Sequence, residues 1–136
     1  MKLPVIDACV AIKWFLPEES QEKASAIFNR FNRFIAPDLF FIEIDSIITK
    51  KIRQKLVEPK DAHKIYDEIR NIPFIIIPYK IISKMAFDLS STLPITQYDA
   101  CYLSVAIEHN QKVYTADRKF FNGLRNTPFK NYVAEL

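Results

Sequence analysis

A chain of 136 residues that is 49% hydrophobic and 26% charged, with 11 Phe and 6 Tyr, is long enough for one domain with its own core and too aromatic for disorder. Its 19 basic and 16 acidic residues leave a net charge of +3, a mild excess compatible with a polyanionic partner. Cys9 and Cys101 form no CxxC, which excludes a disulfide scaffold or zinc ribbon, and the single glycine excludes dinucleotide and Walker A loops. No signal peptide is read at the start, and no apolar stretch approaches the roughly 20 residues of a membrane span. A single domain over residues 1–136 in the reducing cytoplasm is expected.

Leu3 to Ile6 reads as a short strand that stops at Asp7, and Ala8 to Leu16 as a helix interrupted by Pro17. Glu22 to Phe31 carries Ala24, Ile27, Phe28 and Phe31 on one helical face. Phe34 to Ala36 is a very short strand. Pro37 and Asp38 then open a long helix, Leu39 to about Lys55, whose closing Lys50, Lys51, Arg53 and Lys55 suit the negative pole. Pro59 starts a helix through Ile69, with Ala62, Ile65, Tyr66 and Ile69 on one face, antiparallel to the one before. Phe74 to Ile77, ended by Pro78, is the clearest strand. Helices follow over Ile81 to Leu89 and Thr96 to Glu108, then a strand at Lys112 to Thr115, a helical piece at Phe120 to Leu124 and a last edge strand at Tyr132 to Leu136. This alternation predicts an α/β fold with a mostly parallel sheet of four or five strands covered on both faces.

In such sheets the ligand site lies beyond the carboxyl ends of the strands. Asp7 and Asp117 each follow a strand and belong on that edge, with helix or turn capping as the plainer role for either. Asp99, three residues after Thr96, fits a capping box whose first turn opens from the same edge. Glu43 interrupts the apolar run Leu39 to Ile48, and a buried carboxylate is costly without a partner or a cation. Asp45, about 200° round the helix, faces solvent or a basic neighbour. Four carboxylates near one point repel, and a hard divalent cation is the ordinary remedy. With His63 and His109 lacking zinc-type spacing, one or two magnesium or manganese ions are expected. That chemistry suits phosphodiester hydrolysis, with Asp7, Glu43, Asp99 and Asp117 at the centre. Lys13, Arg118 and Lys119 are candidates to hold the substrate backbone, Lys13 having a plain surface lysine as its alternative.

Four blocks in chain order carry a resemblance. They are Val5 to Glu19, Ala36-Pro37-Asp38-Leu39 with Glu43, Tyr98 to Ala106, and Val113 to Phe120. Together they resemble the PIN-domain family, and within it the VapC-like toxins of toxin–antitoxin pairs. The resemblance implies a three-layer α/β/α sandwich and a divalent-metal ribonuclease centred on Asp7, Glu43, Asp99 and Asp117. It also implies a homodimer, an RNA substrate such as transfer RNA or another structured RNA, and a small antitoxin laid across the active-site groove. Thr115 matches a hydroxyl residue often found beside the last acid, while Ser46 stands where Asn is frequent and Cys9 where Ser or Thr is usual. Trp14 and Phe15 are most simply core or dimer-interface residues, with an antitoxin groove as the sharper reading. The alternatives are a PIN-like nuclease of RNA processing or DNA metabolism, a phosphoacceptor signalling domain, and a binding module with a dead site.

Overall fold

Short β-branched runs alternate with amphipathic segments throughout, and each run becomes a strand of one sheet. The computed structural model describes residues 2–136. In chain order the elements are β1 (Val5–Ile6), α1 (Ala8–Ala11), α2 (Gln21–Arg30), β2 (Phe34–Pro37), α3 (Leu39–Arg53), α4 (Pro59–Asn71), β3 (Phe74–Ile77), α5 (Tyr79–Thr92), α6 (Gln97–His109), β4 (Val113–Thr115), α7 (Arg118–Gly123) and β5 (Val133–Glu135). The five strands are all parallel and lie in the order β3-β2-β1-β4-β5. Helix α6 packs across β1, β2 and β4 with α5 beside it, while α1 and α3 pack together and reach β4 and β2. This is the expected α/β/α architecture, with a sheet more uniformly parallel than the sequence required.

Burial follows strand position. Val5, Ile6, Phe34, Ile35, Ala36 and Val113 on the inner strands are buried, as parallel strands with both faces covered must be. The edge strand β3 is half-exposed along its whole length and ends at Pro78, so it offers no central strand end for a phosphoacceptor aspartate. Among the described residues no helix is long and apolar enough to cross a membrane.

Two local readings are corrected. The helix expected from Ala8 to Leu16 stops as an α-helix at Ala11 and tightens into a 3₁₀ turn over Ile12–Trp14, short of the break at Pro17. Tyr66, expected on the buried face of α4, is exposed. Its ring covers the Arg70 guanidinium at 3.5 Å, with Phe41 at 4.9 Å, a cation–π arrangement that favours an outward tyrosine. Arg70 in turn pairs with Asp45 at 2.7 Å, the basic neighbour expected for that acid. Trp14, half-buried, joins an aromatic cluster with Phe28, Phe34 and Phe74, at centroid distances of 4.9, 5.1 and 6.3 Å. Its indole N–H donates to the Ala24 carbonyl at 2.9 Å, which ties it to the core.

The lone glycine has a packing reason. A Cβ at Gly123 would meet the Pro94 carbonyl oxygen at 2.8 Å, so only glycine lets the end of α7 approach the loop that leads into α6. Asp117 caps the start of α7, and Asp99 lies in the first turn of α6.

Candidate active site

Two of the four acids are placed by the sheet. Strands β1 and β4 lie side by side, Val5 opposite Val113 and Ile6 opposite Tyr114, so Asp7 and Thr115 leave the sheet together. The strand order makes the boundary between β1 and β4 the point where the chain's progression across the sheet reverses, which is where open α/β sheets bind ligands. Asp7 is only 7% exposed and Asp117 lies at the surface. Buried Thr115 links them, its hydroxyl donating to Asp7 Oδ2 at 2.8 Å while accepting the Asp117 N–H at 3.0 Å. Cys9 Sγ supports this turn by accepting the Ala116 N–H at 3.3 Å.

Helices bring the other two. Glu43, in the second turn of α3, accepts the Tyr102 hydroxyl on Oε1 at 2.6 Å. Asp99 forms the expected capping box, its N–H donating to Thr96 Oγ1 at 3.0 Å and its Oδ2 accepting the Thr96 N–H at 3.4 Å. Asp117 caps α7, Oδ1 accepting from Lys119 and Phe120 at 3.0 and 3.2 Å. The capping roles read from the sequence are therefore present, and they coexist with a cluster because a cap occupies one carboxylate oxygen. Glu43 Oε2, Asp99 Oδ1 and Asp117 Oδ2 meet no donor among the described residues, and Asp7 Oδ1 has only the Cys9 N–H at 3.5 Å.

All four acids line one cavity of about 250 Å³, with Ala8, Cys9, Ser46 and Ile47. Glu43, Asp99 and Asp117 also border a second cavity of about 460 Å³ that runs past Thr96, Tyr98 and Lys119. Among the described residues no basic side chain forms an ion pair with any of the four. Burial pushes Glu43 from 4.5 up to about 7 against the opposing Tyr102 hydrogen bond, and the charges of Asp7, Asp99 and Asp117 add to the rise. Asp99 rises from 3.8 to about 6, again chiefly by burial, with Asp117 and Asp7 adding and the Thr96 bond opposing. Asp7 is raised too, mostly by burial, against hydrogen bonds from Thr115 and Cys9.

The donor set is all oxygen, each acid has an oxygen with at most a weak donor, and no counter-charge is built in. Those residues fit a hard divalent cation. Among the described residues no three acidic, His or Cys side chains stand gathered at ligand spacing.

A pH prediction follows for protein kept in chelator. The folded state holds protons on Glu43 and Asp99 that the unfolded chain releases near pH 4, so the native state binds more protons between about pH 4 and 7. Stability therefore falls as pH rises through that window. Glu43→Gln is expected to flatten the fall and to stabilise the chelated protein at pH 8 by about 1–2 kcal/mol, discounted for partial exposure. Thermal melts of both proteins across the window check this; a wild-type melting temperature that rises with pH in step with the variant's would contradict it.

The PIN domain family model matches residues 5–123. The chain belongs to the PIN-domain family. This PIN domain is 28% identical over 121 residues to Ribonuclease VapC3 of Pyrobaculum aerophilum, a match covering 88% of this chain and 92% of that protein. The crystal structure of VapC20 from Mycobacterium tuberculosis, described as a sarcin-ricin loop cleaving toxin, matches with a TM-score of 0.69 at 9% identity, covering 86% of this chain and 92% of the other. A toxin–antitoxin complex from Klebsiella pneumoniae matches with a TM-score of 0.64 at 14% identity, covering 96% and 95%. The two structures share the fold.

In this PIN domain the remaining candidates are scattered. Ser46 lines the acidic cavity from α3 and Lys119 lines the adjoining one. Arg118 is exposed and 3.6 Å from Glu135. Lys13, in the 3₁₀ turn after α1, is 9% exposed, pairs with Glu18 at 3.4 Å and is not among the residues lining either cavity. Phe15 lines a separate groove with Leu16, Leu56, Val57 and Ile65.

Sequence reasoning missed Tyr102 as the partner of Glu43. The available signal was its spacing: a tyrosine three residues after Asp99 shares that acid's helix face. The hydroxyl of Thr115 does more than accompany the last acid, since it holds two acids from adjacent strands. Thr115→Val strands Asp7 Oδ2 and the Asp117 N–H, with an expected cost of about 1–3 kcal/mol. A loss of activity of roughly 10–100-fold is expected beside it, as for other residues that orient ligands. Melting and RNA cleavage measured together check this, and wild-type values in both would show the bridge to be dispensable.

Proposed function

We propose that this PIN domain is a divalent-metal-dependent endoribonuclease of the VapC toxin type, acting in the cytoplasm and neutralised by a small antitoxin. The observation that carries the reading is the convergence of Asp7, Glu43, Asp99 and Asp117 on one cavity at the β1/β4 switch point, with no ion pair to any of them among the described residues. The likeness to Ribonuclease VapC3 supports RNA as substrate.

The four acids would hold one or two magnesium or manganese ions. A divalent cation, when bound, neutralises phosphate charge and acidifies a water for in-line attack. The chain's own part is to place the acids. Thr115 fixes Asp7, Tyr102 fixes Glu43, and backbone N–H groups fix Asp99 and Asp117, and each acid keeps an oxygen that would be available to a cation. Lys119, bordering the adjoining cavity, supplies positive charge for the next phosphate along the strand.

The match to a toxin–antitoxin complex supports an antitoxin partner. The groove in which Phe15, Leu56 and Ile65 stand among Glu58, Asp61, Lys64 and Glu68 suits a helical segment that brings both apolar and basic side chains. Exposed Ile81 and Phe87 on α5 and Tyr98 on α6 supply apolar surface for a second copy in a homodimer.

Purified, antitoxin-free protein offered a panel of structured and linear RNAs is expected to cut a few of them with manganese or magnesium and none in chelator. Cleavage undiminished by chelator would sink the metal-dependent reading.

A further inference from the structure

The amino ends of the strands carry a second concave surface that the acids do not use. Pro4, Lys112 and Tyr132, which precede β1, β4 and β5, border a cavity of about 520 Å³ lined also by Phe31 and Tyr114. A neighbouring cavity of about 510 Å³ shares Lys2 and Phe31 with it and adds Arg30 and Arg33. Among the described residues no acidic side chain lines either.

Four cations, Lys2, Arg30, Arg33 and Lys112, therefore rim one surface of a chain whose net charge is only +3. All four are exposed, and among the described residues none is in an ion pair, in contrast to Lys13, Lys51 and Arg70 elsewhere. Charges left solvated and unpaired around a concavity attract a polyanion. The second observation is aromatic. Phe31 and Tyr114 lie with ring centroids 6.1 Å apart, the Arg30 guanidinium sits 5.1 Å from the Phe31 centroid, and Tyr132 is half-buried beside them. Half-exposed rings beside cations are what a single-stranded nucleic acid uses, bases stacking while phosphates meet Lys and Arg. A paired helix keeps its base faces covered and could not use the rings. Amide side chains for base edges are also present in Asn110, Gln111 and Asn131.

We propose that this groove is a second RNA-binding site, which holds a single-stranded segment of the substrate away from the bond that is cut. The choice of RNA as the polyanion rests on the ribonuclease reading. Since the acids lie at the carboxyl ends of the same strands, the groove favours substrates long enough to reach both ends of the sheet, and it gives the enzyme a means of selecting RNA that does not depend on the scissile bond.

The test is fluorescence anisotropy with a labelled single-stranded oligouridylate in chelator, on Asp99→Asn protein so that nothing is cut. Adding Arg30→Ala, Arg33→Ala and Lys112→Ala is expected to weaken binding tenfold or more. The slope of log affinity against log salt should fall by about 2, from roughly 0.7 for each of three lost cations. Tyr132→Ala, checked by melting for an intact fold, is expected to weaken binding roughly tenfold through lost stacking. Wild-type affinity and slope in the triple variant would overturn the proposal. So would a polyglutamate peptide that binds as tightly as the RNA and displaces it, which would make the groove a site for acidic protein segments. If the groove variants lose binding while wild-type protein cuts no RNA, the groove stands and the nuclease reading falls; if cleavage is robust and the groove variants bind normally, the groove alone falls.

Discussion

Asp99→Asn is expected to lower RNA cleavage by roughly 10³-fold or more, because a cation and its ligands supply several kcal/mol of transition-state charge stabilisation. The substitution changes charge and little else. Asp99 closes the capping box of α6 through Oδ2 and its own N–H, and an asparagine carbonyl oxygen can accept the same Thr96 N–H. The helix start should therefore survive at a cost below about 1 kcal/mol. Removing one of four like charges also relieves repulsion on Glu43, whose carboxyl the Asp99 charge helps to raise. In chelator at pH 8 the variant should melt at or slightly above the wild-type temperature.

That combination separates a site acid from a capping residue. Were Asp99 only a cap, Asn would leave cleavage within a few-fold of wild type and added metal would raise the melting temperature of both proteins equally. As a member of the metal-holding set, it should reduce the metal-induced gain in melting temperature along with cleavage. Cleavage and melting, each with manganese and with chelator, give the four measurements needed. Near-wild-type cutting by the variant would remove Asp99 from the site.

How far the site was legible in the sequence depends on whether each residue's role is local. Asp7 and Asp117 could be read because a strand's end is visible in the chain, and parallel strands send their ends to one edge. Glu43 could be read because an acid within Leu39 to Ile48 breaks an apolar run. The pairings that hold these acids could not, although Thr115 was named through the resemblance and Tyr102 shares the helix face of Asp99. Thr115 and Asp7 are 108 positions apart, and their bond exists only because β4 lies next to β1, a neighbour relation that periodicity does not encode. Tyr102 and Glu43 are 59 apart and meet only where α3 and α6 converge. Fold class was easier, since the alternation of short β-branched runs with helices leaves few other arrangements.

Trp14→Ala carries the largest stability effect, an expected loss of about 3–5 kcal/mol. Trp14 lies in the short segment after α1 and is the hub of a cluster in which Phe28 comes from α2, Phe34 from β2 and Phe74 from β3. Phe34 also contacts Phe74 directly at 5.4 Å, so the cluster ties the edge strand β3 and its neighbour β2 to both helical segments that follow β1. Truncation removes the shared partner of three rings and leaves the Ala24 carbonyl without its indole donor. Against a total stability of about 5–15 kcal/mol, that loss is large enough to lower the melting temperature by roughly 10 °C or more. Trp14→Phe keeps most of the ring contact and gives up the hydrogen bond, for an expected cost of about 1–2 kcal/mol. A tryptophan presented to a partner behaves in the opposite way, since its truncation weakens the complex and leaves the free protein's melting unchanged. Calorimetry of the free protein thus decides between the two placements, and an unchanged melting temperature in Trp14→Ala would return this residue to the partner surface with Phe15.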